Sequence, residues 1–524
     1  MTRFRTLYYV LLVLFVSACA FTRAQDDVPS PMPSPTRMVQ TTPVPTQVRE
    51  LHSVPSLQPE VTATPGAIQC DLPETESTTR HTIVADVNYL ERSVMVQQRV
   101  DYINRTGAPL TQIVMNVKPN SVQEMFDLQR LALVDDSPLE YRLIGLRLMI
   151  DLPEALGVGC GLGFMIEFGL KMPEMDNSGV NAYQGYLGYS YRQANLGHWL
   201  PTVAPVINDE WVSHSEIPIG EQEVLDDADW DVTLNIPGAP ENLKVAAPGK
   251  VEIDEPGHWR FTLTNARDFS LSMGEGFNVS SLKTEQGVVV EVYSYDDAII
   301  PTDSGPINSP AFALDVAAKS LNMYEDLYGD YPYERMVVVQ GDFPDGMEFS
   351  GLVFVGGEYF RGFGGPNSYL MMITVHEVAH QWWYGRVGND QAINPWLDEA
   401  LATYSEYVFV EEYFPALKDW WWNFRVDSLA PEGFVDSTVY EFSSRRAYIN
   451  AVYLRGVRML NDLRNDLGTD AFFEWIRQYA EAGAGRIMTP EAFWGLLTPE
   501  QLELTQATRE RYLRQPQIVL IGGQ

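Results

Sequence analysis

Histidine and cysteine are scarce in this chain, with seven and three in 524 residues. Basic residues are also few: 36 Lys and Arg stand against 70 Asp and Glu, a formal net charge of −34. Residues 1–66 contribute +1, five arginines against four acids, so the rest carries the whole negative surplus. Such a surface repels phosphate backbones and argues against nucleic acid as a partner. A membrane-spanning run is not evident either, because the apolar run Leu7–Val16 has ten residues, too few to cross a bilayer as a mature helix. What is present is ordinary for a globular protein, 45% hydrophobic and 12% aromatic residues, in a chain long enough for two or three domains.

The short apolar run instead fits the core of a secretion signal over residues 1–18, with Arg3 and Arg5 as its positive start. It closes on Val16-Ser17-Ala18-Cys19, which resembles a bacterial lipobox, cut before Cys19 so that the thiol takes a lipid. An ordinary signal peptide with an incidental cysteine is the alternative. Lipidation would leave Cys70 and Cys160 as an even pair in a disulfide-permissive compartment, and they are the candidate bridge, two free thiols being the other reading. Residues 19–66 read as a disordered tether, with nine prolines between Pro29 and Pro65. The expectation is an extracytoplasmic, membrane-tethered lipoprotein on the cell surface or periplasmic side.

Residues 67–280 alternate apolar and polar positions in short segments such as Ser93–Tyr102, Gln112–Val117, Gly163–Phe168 and Trp230–Ile236, separated by turn residues. This predicts an antiparallel β domain. Residues 281–500 predict a mainly helical domain. Its helices are expected over Ala311–Tyr328, Tyr369–Tyr384, Pro395–Phe414, Val452–Asp466 and Asp470–Ala480, with strands over Met336–Gly341 and Gly346–Val355. Residues 501–524 form a tail. The fold class expected is therefore α+β and multidomain.

Two of the seven histidines lie in Thr374-Val-His-Glu-Val-Ala-His380. On a helix, His376 and His380 at i and i+4 share a face, and two imidazoles from that spacing reach one zinc ion. Glu377 between them can approach a zinc-bound water. After eighteen intervening residues beyond His380 comes Glu399, at the start of the next predicted helix, and a carboxylate there completes a His₂Glu set with one open position, the catalytic pattern. Glu406, nearly two turns on, is placed to orient a ligand imidazole, or else to lie on a solvated face.

His-Glu-Val-Ala-His with Glu399 in Trp-Leu-Asp-Glu-Ala resembles the gluzincin metallopeptidases related to aminopeptidase N. Asp345-Gly-Met-Glu-Phe349 resembles that family's G-x-M-E-N motif, and Tyr453-Leu-Arg-Gly456 its Y-x-K-G motif. The resemblance covers about residues 70–495. It implies a saddle-like β domain followed by a thermolysin-like catalytic domain, with one zinc per chain and peptides as substrates. It also implies that Glu377 is general base to a zinc-activated water and that Tyr453 donates to the oxyanion. Glu348 would pair with the substrate's α-ammonium, while the backbone of Gly346 and Met347 binds the peptide as an added strand. The pattern departs from the family at Asp345 and Phe349, at Asp398 beside the ligand, and at Arg455. Larger relatives carry a long helical C-terminal domain, which is not expected within these 524 residues. An aminopeptidase is thus the expected activity. An open-cleft endo- or oligopeptidase and a non-catalytic zinc-binding scaffold on the same fold are the alternatives. The triple tryptophan Trp420–Trp422 reads as helix packing and cleft wall. Oligomeric state is not legible.

Overall fold

The computed structural model describes residues 68–70, 77–175 and 185–517. The signal peptide, Cys19 and the tether lie outside the described residues. Among the described residues no helix is long and apolar enough to cross a membrane.

Among the described residues, the sequence alternation of the first half becomes four sheets. The largest has seven strands in the order 250–255, 258–266, 228–235, 79–88, 93–103, 161–171 and 126–133. Its neighbours are antiparallel except where 79–88 runs parallel to 228–235. Strand Ser93–Ile103 shows why the pattern works: Val94, Val96, Gln98, Val100 and Tyr102 face inward with period two. Gln98, the one amide in that row, engages its amide nitrogen by donating to the Pro201 carbonyl at 2.8 Å and meeting His81 Nδ1 at 3.0 Å, while its Oε1 is buried without a partner. Two four-stranded sheets and a two-stranded one, Val206–Ile207 with Glu210–Trp211, complete this half. Cys70 and Cys160 are disulfide-bonded, which pins the chain before the first strand to the turn that precedes strand Gly161–Lys171.

No sheet among the described residues joins strands from before residue 276 to strands after it. The second half is built on a five-stranded sheet ordered 278–283, 289–294, 335–341, 352–356 and 346–347. Its two parallel pairings bury Met336–Gly341 and Leu352–Gly356 completely, as continuous apolar strands demand. Helices surround it, among them Ser309–Tyr328, Tyr369–Ala379, Trp396–Tyr413, Arg455–Leu467 and Thr469–Ala482. Arg267 joins the halves: 1% exposed, it donates to the carbonyls of Leu225, Tyr384 and Arg486 at 2.8, 2.5 and 3.0 Å.

Three expectations need correction. The single strand over Gly346–Val355 is a hairpin, Gly346–Met347 against Leu352–Gly356, because Gly351 adopts φ +70° and turns the chain. The helix expected to reach Tyr384 stops at Ala379, since Trp382 and Trp383 leave it to fill the core beside Tyr324 and Tyr328. The helix expected from Val452 begins earlier, at Arg445, and passes through a π-helical stretch, Asn450–Leu454, before regular geometry resumes at Arg455. Of the three tryptophans, Trp421 is fully buried against Tyr407 and Trp422, a packing role.

Candidate metal centre

Ser368 starts helix Tyr369–Ala379 by accepting from the Met371 N–H, and every residue from Leu370 to Ala379 is buried. His376 and Glu377 lie in its last turn and His380 follows directly. Helix Trp396–Tyr413 packs alongside with Asp398 and Glu399 in its first turn and Glu406 farther along, all buried.

Three ligand atoms converge between these helices. His376 Nε2 lies 3.1 Å from His380 Nε2, and Glu399 Oε2 lies 3.3 and 3.5 Å from the two nitrogens. Each ring's other nitrogen is engaged: His376 Nδ1 meets Glu406 Oε1 at 2.8 Å, and His380 Nδ1 meets the Trp383 carbonyl at 2.8 Å. Carboxylate and carbonyl oxygens only accept, so each Nδ1 carries a proton, and a ring in its neutral form turns the lone pair of Nε2 inward. Glu399 Oε2 is itself buried without a hydrogen-bond donor. Three lone pairs facing one another repel unless a cation sits among them. Ligands at about 2.0–2.1 Å from a tetrahedral zinc lie roughly 3.3–3.4 Å apart, which matches this triangle. The residues fit the metal.

The electrostatics agree. Burial pulls the His376 imidazole down, but the Glu399 and Glu406 carboxylates outweigh it and push it up to about 9. Burial likewise opposes charge on His380, and Glu348 and Glu399 drive it well above the usual range. Burial would raise Glu399, yet the two imidazoles hold it far below an ordinary carboxylate. The cluster is arranged to stabilise a positive charge.

Glu377 has a buried, unpartnered Oε2, and burial, opposed by His376, pushes its carboxyl up to about 8. Its other oxygen lies against edge strand Gly346–Met347, where a Cβ on residue 346 would sit 2.0 Å from Oε1. Residue 345, where the family has glycine, is an aspartate at φ +72°, held by Tyr359 Oη at 3.4 Å and by an ion pair with Arg445. Glu348 is 5% exposed, and its Oε1 has no donor. Burial raises its carboxyl, His380 opposes, and Glu399 adds to the rise. Phe349 turns away into the core, edge-on to Tyr186 and His198 at centroid distances of 5.6 and 4.9 Å.

Tyr453 comes from the π-helical stretch, its ring parallel to His376 at 6.0 Å. Glu406 is placed to orient a ligand imidazole, since it holds His376. Asp398 supports the ligand differently: it accepts from the Glu399 N–H at 2.7 Å and from Gln391 at 3.1 Å, and touches neither imidazole through these bonds.

Two residues at the site have no signal in the sequence. Glu221, half-buried in a loop of the β-rich half, brings a carboxylate oxygen within 4.8 Å of oxygens of both Glu348 and Glu399. Burial and the neighbouring Glu348 and Glu399 charges raise its pKa well above the usual range. A cavity of about 790 Å³ opens beside it, lined by Lys118, Tyr186, His214 and Glu216. Arg425 pairs with Glu406, at 3.1 Å through Nε and 2.9 Å through Nη2. Both residues reach the site through tertiary packing, with no spacing to mark them.

A buried His₂Glu triangle with a free carboxylate beside it defines a mononuclear metal site of the hydrolytic type. Comparison with known proteins sharpens this class. Residues 312–510 match the Peptidase family M1 domain. Aminopeptidase M1-D of Oryza sativa is 29% identical over 233 residues, 41% of this chain and 25% of the relative. Aminopeptidase N of Lactococcus lactis is 26% identical over 296 residues, 52% of this chain and 34% of the relative. The chain thus spans about a quarter to a third of the length of these relatives. In fold it is similar to an M1 zinc metallopeptidase mutant from Deinococcus radiodurans bound to a Tyr-Ser-Ala substrate. That likeness has a TM-score of 0.60 at 18% identity, covering 83% of this chain and 94% of the other.

Proposed function

We propose that this protein is a zinc-dependent aminopeptidase that removes N-terminal residues from peptides. The observation that carries the reading is the pair of carboxylates, Glu348 and Glu221, set beside the metal-ligand triangle with no cation of their own among the described residues. Two carboxylates held this close resist joint ionisation until a cation joins them, and a peptide's α-ammonium is such a cation. His376, His380 and Glu399 would hold the zinc. Bound there, zinc supplies Lewis acidity, polarising the scissile carbonyl and acidifying a water.

The protein's own groups do the rest. Glu377 takes the proton of the attacking water and returns it to the leaving amine. Strand Gly346–Met347, at the edge of its sheet, offers backbone groups to an extended peptide. Tyr453, beside His376, supplies the donor to the developing oxyanion. The related aminopeptidases support the same reading. The N-terminal sequence supports a further part of it, that a lipid on Cys19 and the proline-rich tether hold the enzyme at a membrane outside the cytoplasm.

The cavity of about 790 Å³ beside Glu221 favours one second reading, an open-cleft oligopeptidase that houses residues upstream of the cut. Paired peptides with free and acetylated N-termini distinguish the two. The aminopeptidase cleaves only the free peptide, whereas equal cleavage of both establishes the oligopeptidase.

A further inference from the structure

Two helices of the second half each leave α-register for five residues. Trp422–Val426 and Asn450–Leu454 are both π-helical. A π-turn takes one more residue than an α-turn, so it rotates the side chains after it by about 100° relative to the regular helix. Its hydrogen-bond geometry is poorer, and such turns concentrate where a side chain must be aimed. Here both aim at one imidazole. The second carries Tyr453 to the face of His376. The first carries Arg425 to Glu406, the carboxylate on that ring's other side.

Arg425 grips Glu406 with two prongs, Nε to Oε2 at 3.1 Å and Nη2 to Oε1 at 2.9 Å. The same Oε1 takes the His376 Nδ1 proton at 2.8 Å. Glu406 is 0% exposed, and the Arg425 side chain is 16% exposed. Water therefore cannot orient this carboxylate, and no lysine or second arginine is hydrogen-bonded to it among the described residues. Without the guanidinium, the buried carboxylate would be free to rotate, and His376 would lose its fixed acceptor. The fork removes that freedom because two parallel hydrogen bonds fix the carboxylate plane, which a lysine's point charge cannot do.

We propose that Arg425 is a positioning residue of the metal centre. It acts through Glu406 to fix the His376 ring, and it thereby sets the affinity and ligand geometry of the bound metal. This rests on reading the His376–His380–Glu399 triangle as a metal site.

The test uses the full chain, stripped of metal and reloaded, with Arg425→Met, Arg425→Lys, Glu406→Gln and the double variant Arg425→Met/Glu406→Gln. The readouts are zinc affinity by chelator competition and the visible spectrum of the cobalt(II)-loaded protein. Arg425→Met should weaken zinc binding about 10- to 100-fold, the range for residues that support metal ligands, and shift the cobalt bands. Arg425→Lys should recover part of the affinity. The double variant should bind zinc within about twofold of Glu406→Gln alone, because the arginine then has nothing to position. If Arg425→Met leaves a buried carboxylate unpaired and fails to fold, the last comparison still decides, since the double variant holds no unpaired charge. Wild-type affinity and spectrum in Arg425→Met overturn the proposal, as does a double variant at least tenfold weaker than Glu406→Gln. Wild-type protein that binds no zinc overturns the underlying metal reading instead.

Discussion

Replacing Gly346 with alanine adds one methyl group, and the structure states where it would go. Gly346 is not among the glycines at positive φ, so its backbone accepts an L side chain and only space is at issue. The new Cβ would lie 2.0 Å from Glu377 Oε1, 2.5 Å from its Cδ and 2.9 Å from its Cγ. Real Cβ contacts essentially never fall under 3.0 Å, so the carboxylate has to withdraw by at least about 1 Å. The displaced group is the end of a flexible side chain, and little folding energy is at stake. Catalysis is another matter: a misplacement of about 1 Å costs on the order of 100-fold in rate, or about 2.7 kcal/mol of transition-state stabilisation. The expected result for Gly346→Ala is a kcat/KM near 1% of wild type on an unblocked peptide, with zinc content and melting temperature unchanged. Wild-type kcat/KM would refute the reasoning. A loss of activity that tracks loss of zinc or of fold would refute it equally, since the methyl group would then be acting on something other than the Glu377 carboxylate.

The remaining expectations are briefer. Zinc should bind at close to one ion per chain and be lost in His376→Ala and in Glu399→Ala, measured by elemental analysis; a well-folded wild type without metal would exclude the site. Glu377→Gln should keep its zinc and lose roughly 10²- to 10⁴-fold in kcat, and wild-type turnover would remove Glu377 from its role. In the β-rich half, burial would raise Glu223, but Lys118 at 2.5 Å, followed by His198, brings its carboxyl down to about 2. A depressed carboxylate stabilises the fold above its unfolded pKa near 4.5 and loses that contribution as pH falls towards about 2, here about 3 kcal/mol. Urea midpoints of wild type and Glu223→Gln should therefore differ at pH 7 and converge near pH 2, and a constant gap would contradict this linkage.

Local patterns were legible because they repeat at the period of the element that carries them. The period-two alternation of residues 93–103 marked a strand, and the four-residue step from His376 to His380 marked one face of a helix. The hairpin inside Gly346–Val355 was not, because an apolar run reads alike whether it continues or folds back at Gly351. The π-helical turns were hidden too, since they change the direction of a side chain without changing composition.

His376, Glu377, His380 and Glu399 could be named from spacing and motif, and Glu348, Gly346, Met347 and Tyr453 from resemblance. Tertiary structure alone decided what each of them faces. It set Phe349 into the core, gave Asp398 to Gln391 and to the Glu399 N–H, and laid Glu377 against a glycine that leaves it room. It also brought in Glu221 from the β-rich half and Arg425 from a π-turn. The physical reason is the same throughout. Ligand spacing on one helix is a covalent property of the chain, whereas a charge's partner is chosen by packing between segments that the covalent order leaves far apart.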